Sequence, residues 1–313
     1  MRVLITGASG LLGMNLALEA SRNHQVTGVD RNTLASAPFA IIKADLLDRE
    51  AVSRVLDEAR PEAVVHCAAI ADIDACESSP DAAHRANAIM PGYVADACRL
   101  RNIRLVHIST DAVFSGEKSG AYTEADAPDP LGVYGITKFE GEKAVLQAYP
   151  DAAVFRVNFY GWSINGRRSL AEFFVNHLTK GATINGFTDV TFCPMFVGHL
   201  AGVILKALSR RLSGIYHVVG PQAMTKYQFG VEIARKFGLS ERLIAPQSVN
   251  KSSLTTRRSH NLWLSIHKIS TALDLELPDF STGLDAFYAQ YQQGYPQRIR
   301  SYQQPAKAPL ADG

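Results

Sequence analysis

The sequence predicts an α/β protein built on a doubly wound parallel sheet. Three observations carry the prediction. Short apolar and β-branched runs alternate with helical stretches through the first half of the 313 residues, the pattern of repeated βαβ units. A glycine-rich turn, TGASGLLG, joins the first run to the first helix. A hydrophobic content of 47% against 20% charged residues is enough to fill a large core.

The elements follow in order. RVLIT, residues 2–6, is a buried strand bounded by glycine. LLGMNLALEASRN, 11–23, carries apolar residues at helical spacing. HQVTGVD, 24–30, and AIIKA, 40–44, are the second and third strands. DREAVSRVLDEAR, 48–60, is a helix that stops before Pro61, since proline cannot continue it. EAVVHCAA, 62–69, is the fourth strand. Residues 81–102 form a long helix with a break expected near Pro91. IRLVHIST, 103–110, is the fifth strand, a helix carrying Tyr134 and Lys138 follows, and AAVFRVNFYG, 152–161, is the sixth. Beyond Tyr160 the pattern weakens. Helices are expected over 169–181, 196–212 and 224–239, the last with Thr225 as its N-cap, and a strand over 214–220. These boundaries divide the chain into a sheet domain, 1–158, and a smaller lobe, 159–295, with some segments returning to the sheet. The stretch 296–313 is rich in Gln, Pro, Arg and Ala and is expected to be disordered.

The turn TGASGLLG has the context of a dinucleotide phosphate loop, directly after a strand and directly before a helix. Gly7 permits the tight turn, Gly10 lets backbone approach a pyrophosphate, and Gly13 lets helix and strand pack closely. Ser9, Leu11 and Leu12 complete the loop, whose free N–H groups and dipole suit phosphate. This is the signature of a Rossmann-type domain. Asp30 ends the second strand, where a carboxylate bonds ribose hydroxyls and repels a 2′-phosphate. Arg31, next in line, is suited to pairing with such a phosphate. The cofactor expected is therefore NAD(H) or NADP(H), with NAD(H) favoured. Asp45 and Leu46 follow the third strand, where an adenine would lie; Asp45 also serves as the expected N-cap of the next helix. Cys67, Ala68 and Ala69 end the fourth strand, small enough for close backbone approach.

Tyr134 and Lys138 lie four residues apart in VYGITKFEGEKAV and share one helix face. A lysine ammonium there is expected to lower the tyrosine pKa by stabilising the phenolate, making the phenol an acid–base catalyst. Composition excludes other classes. The net charge is +2 with no long run of one sign, which argues against nucleic acid. No apolar run reaches membrane-span length. The chain enters its first strand at once, so no targeting segment and a cytoplasmic location are expected. Cys67, Cys76, Cys98 and Cys193 show neither C-x-x-C spacing nor a metal cluster, as expected of free thiols in a reducing compartment.

With TGASGLLG, DLLD, CAAIADIDACESSPDAAHRANA, ISTDAVFSGEKSGAYTEADAPDPLGVYGITKFEGEKAV and RVNFYG in order, the chain resembles the extended short-chain dehydrogenase/reductase superfamily. Its branch of dTDP-4-dehydrorhamnose reductases and sugar-nucleotide relatives is the nearest look. RRSHNLWLSIHKI resembles that branch's closing motif, with Ser259 in place of the usual proline. The resemblance implies a catalytic trio of Thr110, Tyr134 and Lys138, with Asn87 as the helix asparagine that holds a water beside the lysine. It implies hydride transfer to or from a sugar carbonyl. Tyr134 would move the proton, Thr110 would donate to the developing oxyanion, and Lys138 would hold the cofactor ribose. Substrate residues would be Asp111, Phe114, Asn158, Tyr160 and Trp162, after the fifth and sixth strands, and Arg258, in the position of an arginine that meets a nucleotide diphosphate. A sugar or nucleotide sugar is the partner expected, and a homodimer is implied. An epimerase is an alternative, whereas a dehydratase would carry Asp-Glu beside the hydroxyl and here Asp111-Ala112 follows Thr110. The chain also resembles the regulatory β subunit of methionine adenosyltransferase, a different class that keeps similar residues.

Overall fold

The computed structural model describes residues 1–252 and 256–303. Seven strands form one sheet: β1 Arg2–Thr6, β2 Gln25–Asp30, β3 Ala40–Lys43, β4 Ala63–His66, β5 Arg104–Thr110, β6 Ala153–Val157 and β7 Gly214–Val218. Their order is β7-β6-β5-β4-β1-β2-β3, and every pair is parallel. Strands β4 and β6 are buried at every position, as expected where helices cover both faces. The order reverses between β1 and β4, and ligands of such sheets bind outside the carboxyl ends of the strands at that point.

One apolar cluster joins Val3, Ile5 and Leu12 of the first half to Phe174, Ile184, Phe229 and Phe287 of the second. A single continuous core therefore underlies both halves of the chain. The later segments add small pairings around it: Phe159–Tyr160 with Met195–Phe196, and Ile184–Phe187 with Ile244–Gln247. Thr225 caps the helix Lys226–Lys236 through a reciprocal capping box with Gln228.

Three expectations need correction. The break in the long helix is not at Pro91. It is a π-helical turn, Arg85–Ile89, and Pro91 sits in the first turn of the helix Met90–Leu100 that continues from it. Proline has no N–H for the carbonyl four residues back, so the ladder widens just upstream of it. The N-cap of the helix Arg49–Ala59 is Asp48, which accepts from Glu50 N, and not Asp45. Residues 296–303 are ordered: Tyr295–Arg300 is a helix, Tyr295 and Ile299 are buried, and Tyr295 Oη donates to Asn15 Oδ1 at 2.7 Å. Residues 304–313 of that stretch lie outside the described residues.

Candidate active site

The phosphate loop is shaped by contacts that only glycine tolerates. Gly7 has φ +66°, and a Cβ there would stand 2.9 Å from the Ala68 backbone at the end of β4. At Gly13 a Cβ would overlap the Gly7 carbonyl, so the helix Leu11–Ala20 can pack against the loop only without one. The loop is tied down by Gly10 N to Gly7 O at 2.8 Å and Ala8 N to Val29 O at 3.2 Å. Asp30 fixes it from the side, its carboxylate accepting from Ser9 N at 2.9 Å and Asn32 N at 3.1 Å.

Beside this loop lies a crevice of about 270 Å³ at the switch point of the sheet. Gly7, Ser9, Gly10, Asp30, Arg31, Asp45, Leu46, Cys67, Ala68 and Ala69 all line it. Leu11, Leu12 and Gly13 do not; they are buried beneath the loop. Arg168, which the sequence reading missed, lines it from the second half of the chain and donates to Ser9 O at 3.3 Å. The bare glycine backbone, the helix N-terminus and the carboxylate at the end of β2 fit a dinucleotide.

Tyr134 and Lys138 lie on the helix Gly132–Ala148. Glu77 Oε1 accepts from Val133 N at 2.7 Å, replacing the absent N-cap side chain. Glycine spacing then sets the helix close to its neighbours. A Cβ at Gly135 would overlap Ala112 O, and one at Gly141 would overlap Asn87 O. The first approach brings Tyr134 beside Thr110, whose hydroxyl tempers the rise of the phenol. Ser109, its neighbour, points the other way and donates to the buried Glu142 at 2.5 Å, which in turn holds the Arg156 guanidinium at 2.7 Å.

The electrostatics differ from the expected phenol–lysine coupling. Burial pushes Tyr134 up to about 12; the Thr110 hydroxyl opposes this, and the charge of Asp111 adds to it. Lys138 is 3% exposed, donates to Ile108 O at 2.7 Å, and is pushed down to about 8 by burial. The lysine is thus anchored to β5, its charge felt at Cys67 on the crevice wall. The phenol is held in its protonated form, the state that can donate to a carbonyl oxygen. Asn87 also departs from expectation. Its carboxamide, fully buried, accepts from Ile70 N and donates to Ile70 O, both at 2.9 Å. It therefore ties the π turn to the chain after β4.

At the far end of this pair, Asp111 is 4% exposed and raised to about 6 by burial. It accepts from Thr110 Oγ1 at 3.1 Å and Asn158 Nδ2 at 2.5 Å. Lys226, also missed in the sequence, pulls against that rise, and is itself lowered by burial and then by the charge of Arg258. The only sequence signal for it was a cation directly after the Thr225 cap. Arg258 bonds Asp74 at 3.1 Å, its side chain is 14% exposed, and its Nη1 is buried without a partner among the described residues. The structure therefore brings together Thr110, Asp111, Tyr134, Lys138, Asn158, Lys226 and Arg258.

Three expected substrate residues lie in the core instead. Phe114 is fully buried, stacked on Tyr122 at 4.2 Å with Arg156 above its ring. Tyr160 packs among Phe196, Phe229, Phe280 and Phe287. Trp162 stacks on Phe287 at 4.1 Å and donates to its carbonyl at 3.1 Å. Ser259, in place of the proline, donates to Phe114 O at 2.9 Å and ties the closing motif to the loop after β5. Among the described residues no group of His, Cys, Asp and Glu could hold a metal ion.

A Rossmann sheet with a glycine phosphate loop after β1 and a Tyr-x-x-x-Lys helix after β5 defines an extended short-chain dehydrogenase/reductase. More narrowly, residues 1–293 match the family described as RmlD substrate binding domain, and the chain belongs to that family. It is 32% identical over 295 residues to a probable low-salt glycan biosynthesis reductase of Haloferax volcanii, covering 93% of this chain and 98% of that one. It is 33% identical over 292 residues to methionine adenosyltransferase 2 subunit beta of Mus musculus, covering 90% and 86%. Among solved structures, the dTDP-4-dehydrorhamnose reductase of Bacillus anthracis in complex with NADP superimposes with a TM-score of 0.84. It is 27% identical, covering 92% of this chain and 99% of that one.

Proposed function

We propose that the protein is a nicotinamide-dinucleotide-dependent oxidoreductase of sugar nucleotides, acting on the keto or hydroxyl group of a nucleotide-linked 4-keto-6-deoxysugar. The observation that carries the reading is the protonated Tyr134 phenol beside Thr110, one helical turn from Lys138, whose charge reaches Cys67 on the crevice wall. Residues 1–158 hold the dinucleotide, and the lobe 159–295 contributes Lys226 and Arg258 to the substrate end. When bound, the cofactor supplies the hydride. Tyr134 delivers the proton to the carbonyl oxygen, and Thr110 stabilises the charge that develops there. Lys138 positions the ribose.

The sequence-based preference for NAD(H) rests on Asp30 alone and gains no support from the relatives, one of which was solved with NADP. Asp30 is already engaged by Ser9 N and Asn32 N, and Arg31 is exposed beside it. The proposal therefore covers nicotinamide dinucleotides as a class. A cytoplasmic homodimer belongs to the same proposal. Leu100 and Ile136 are exposed on the two helices that would form its interface, and among the described residues no helix is long and apolar enough to cross a membrane.

A second reading, a dinucleotide-binding regulatory subunit, is favoured by the 33% identity to the methionine adenosyltransferase subunit over 90% of the chain. The decisive experiment is NAD(P)H oxidation with a panel of NDP-4-keto sugars, wild type against Tyr134→Phe. Turnover that falls about 10²–10⁴-fold in the variant, with cofactor affinity retained, is expected of the enzyme. Cofactor binding with no turnover on any panel member would replace the enzymatic reading by the regulatory one.

A further inference from the structure

Arg168 stands apart from the rest of the crevice because it arrives from the second lobe. Its backbone is fixed from behind. Arg168 N donates to Glu172 Oε2 at 3.1 Å and to Ser163 Oγ at 3.3 Å, and Ser163 and Glu172 are both fully buried. Glu172 also completes the capping box of the helix Leu170–Thr179. The side chain, by contrast, is exposed and reaches across to the phosphate loop, Nη1 donating to Ser9 O. That nitrogen also lies 3.8 Å from where a Cβ at Gly10 would be. Gly10 is the loop position whose bare backbone makes room for a pyrophosphate. A guanidinium there faces the same space as the N–H groups of the helix start, and its planar fork suits two phosphate oxygens at once.

We propose that Arg168 is a cofactor-binding residue: it leaves Ser9 O to clasp the diphosphate of the dinucleotide, closing the phosphate loop from the opposite lobe. This rests on reading the crevice as a dinucleotide site. The ligand chemistry it recognises is the diphosphate common to NAD(H), NADP(H) and ADP-ribose, not the 2′-phosphate, which would lie by Asp30 and Arg31 at the end of β2. The clasp joins the two lobes through the ligand, so a filled crevice holds the segment 163–168 against the loop.

The test is calorimetric titration of wild type, Arg168→Gln and Arg168→Lys with NADH, NADPH and ADP-ribose at one low ionic strength. Because the side chain is exposed, the variants should fold, which matching circular dichroism and melting curves would verify. Arg168→Gln should bind all three ligands at least tenfold more weakly and by similar factors, with a shallower salt dependence. Arg168→Lys should recover part of the loss. Unchanged affinities in Arg168→Gln would overturn the clasp while leaving the dinucleotide site standing, and so would a loss confined to NADPH. A wild type that binds none of the three would remove the underlying reading itself.

Discussion

Replacing Asp111 by asparagine should make the protein more stable at pH 8 and less active. Asp111 is 4% exposed, and burial raises it from 3.8 to about 6. A raised acid is one whose ionised form the fold disfavours. Its cost is absent while both folded and unfolded states are protonated, grows as pH rises above the unfolded value, and is complete above the folded one. The shift is about two units at ~1.4 kcal/mol each, or about 3 kcal/mol above pH 7, of which roughly half is felt at pH 5. Asparagine keeps the size, can accept from Asn158 Nδ2, and carries no charge to desolvate. For a chain of this length the entropy of unfolding is about 0.7 kcal/mol/K, so the variant should melt about 4–5 °C higher at pH 8. The gain should shrink toward pH 4. Differential scanning calorimetry of both proteins across pH 4–8 reads it directly. Turnover should fall because Asp111 bonds both Thr110 and Asn158 in the wild type, and an amide at that point would hold the Thr110 hydroxyl differently. A variant that melts lower at pH 8, or a gain that stays constant across the range, would refute the assignment of strain to the buried carboxylate.

Two further outcomes follow from the same geometry. Lys226→Met removes the cation that holds Asp111 down, so the Asp111 titration should move above its present value of about 6. The charged and titratable groups facing Asp111 are Tyr134, Cys193 and Lys226, so the acid limb of the kcat/KM profile should shift upward; an unmoved limb would show that Lys226 does not reach the carboxylate. Gly141→Ala should cost about 1–3 kcal/mol as an overpacked contact, since its Cβ would overlap Asn87 O in the π turn, and urea denaturation showing no loss would contradict that packing.

How much of this was legible depended on whether local chemistry or tertiary context decided the outcome. The parallel sheet and the phosphate loop could be read because strand burial, turn and helix start are all contiguous in TGASGLLG. The Tyr134–Lys138 face could be read because helical spacing fixes it. Phe114, Tyr160 and Trp162 were misplaced because the carboxyl end of a strand offers two destinations, site or core, and large aromatic rings gain more by burial. The phenol–lysine coupling was misjudged because the Ile108 carbonyl, which takes the ammonium, is thirty residues away in sequence. Arg168 carried no local mark and Lys226 only its place after the Thr225 cap, since the packing of the later segments brings one to the crevice and the other to Asp111. The helix Tyr295–Arg300 was hidden by a polar composition in which Tyr295, Pro296 and Ile299 supply the buried face.

That last helix bears on the order in which the molecule can be completed. Tyr295 and Ile299 belong to the same apolar cluster as Val3, Ile5 and Leu12, and Tyr295 Oη bonds Asn15, 280 residues earlier. On a ribosome the chain emerges from its amino end, so the first helix leaves the tunnel long before its final neighbour is synthesised. During that interval the face later covered by Tyr295 and Ile299 is open to water, and closing so large a loop is slow. A nascent chain halted short of Tyr295 would hold every residue of the phosphate loop and still lack the last wall of the core beneath it.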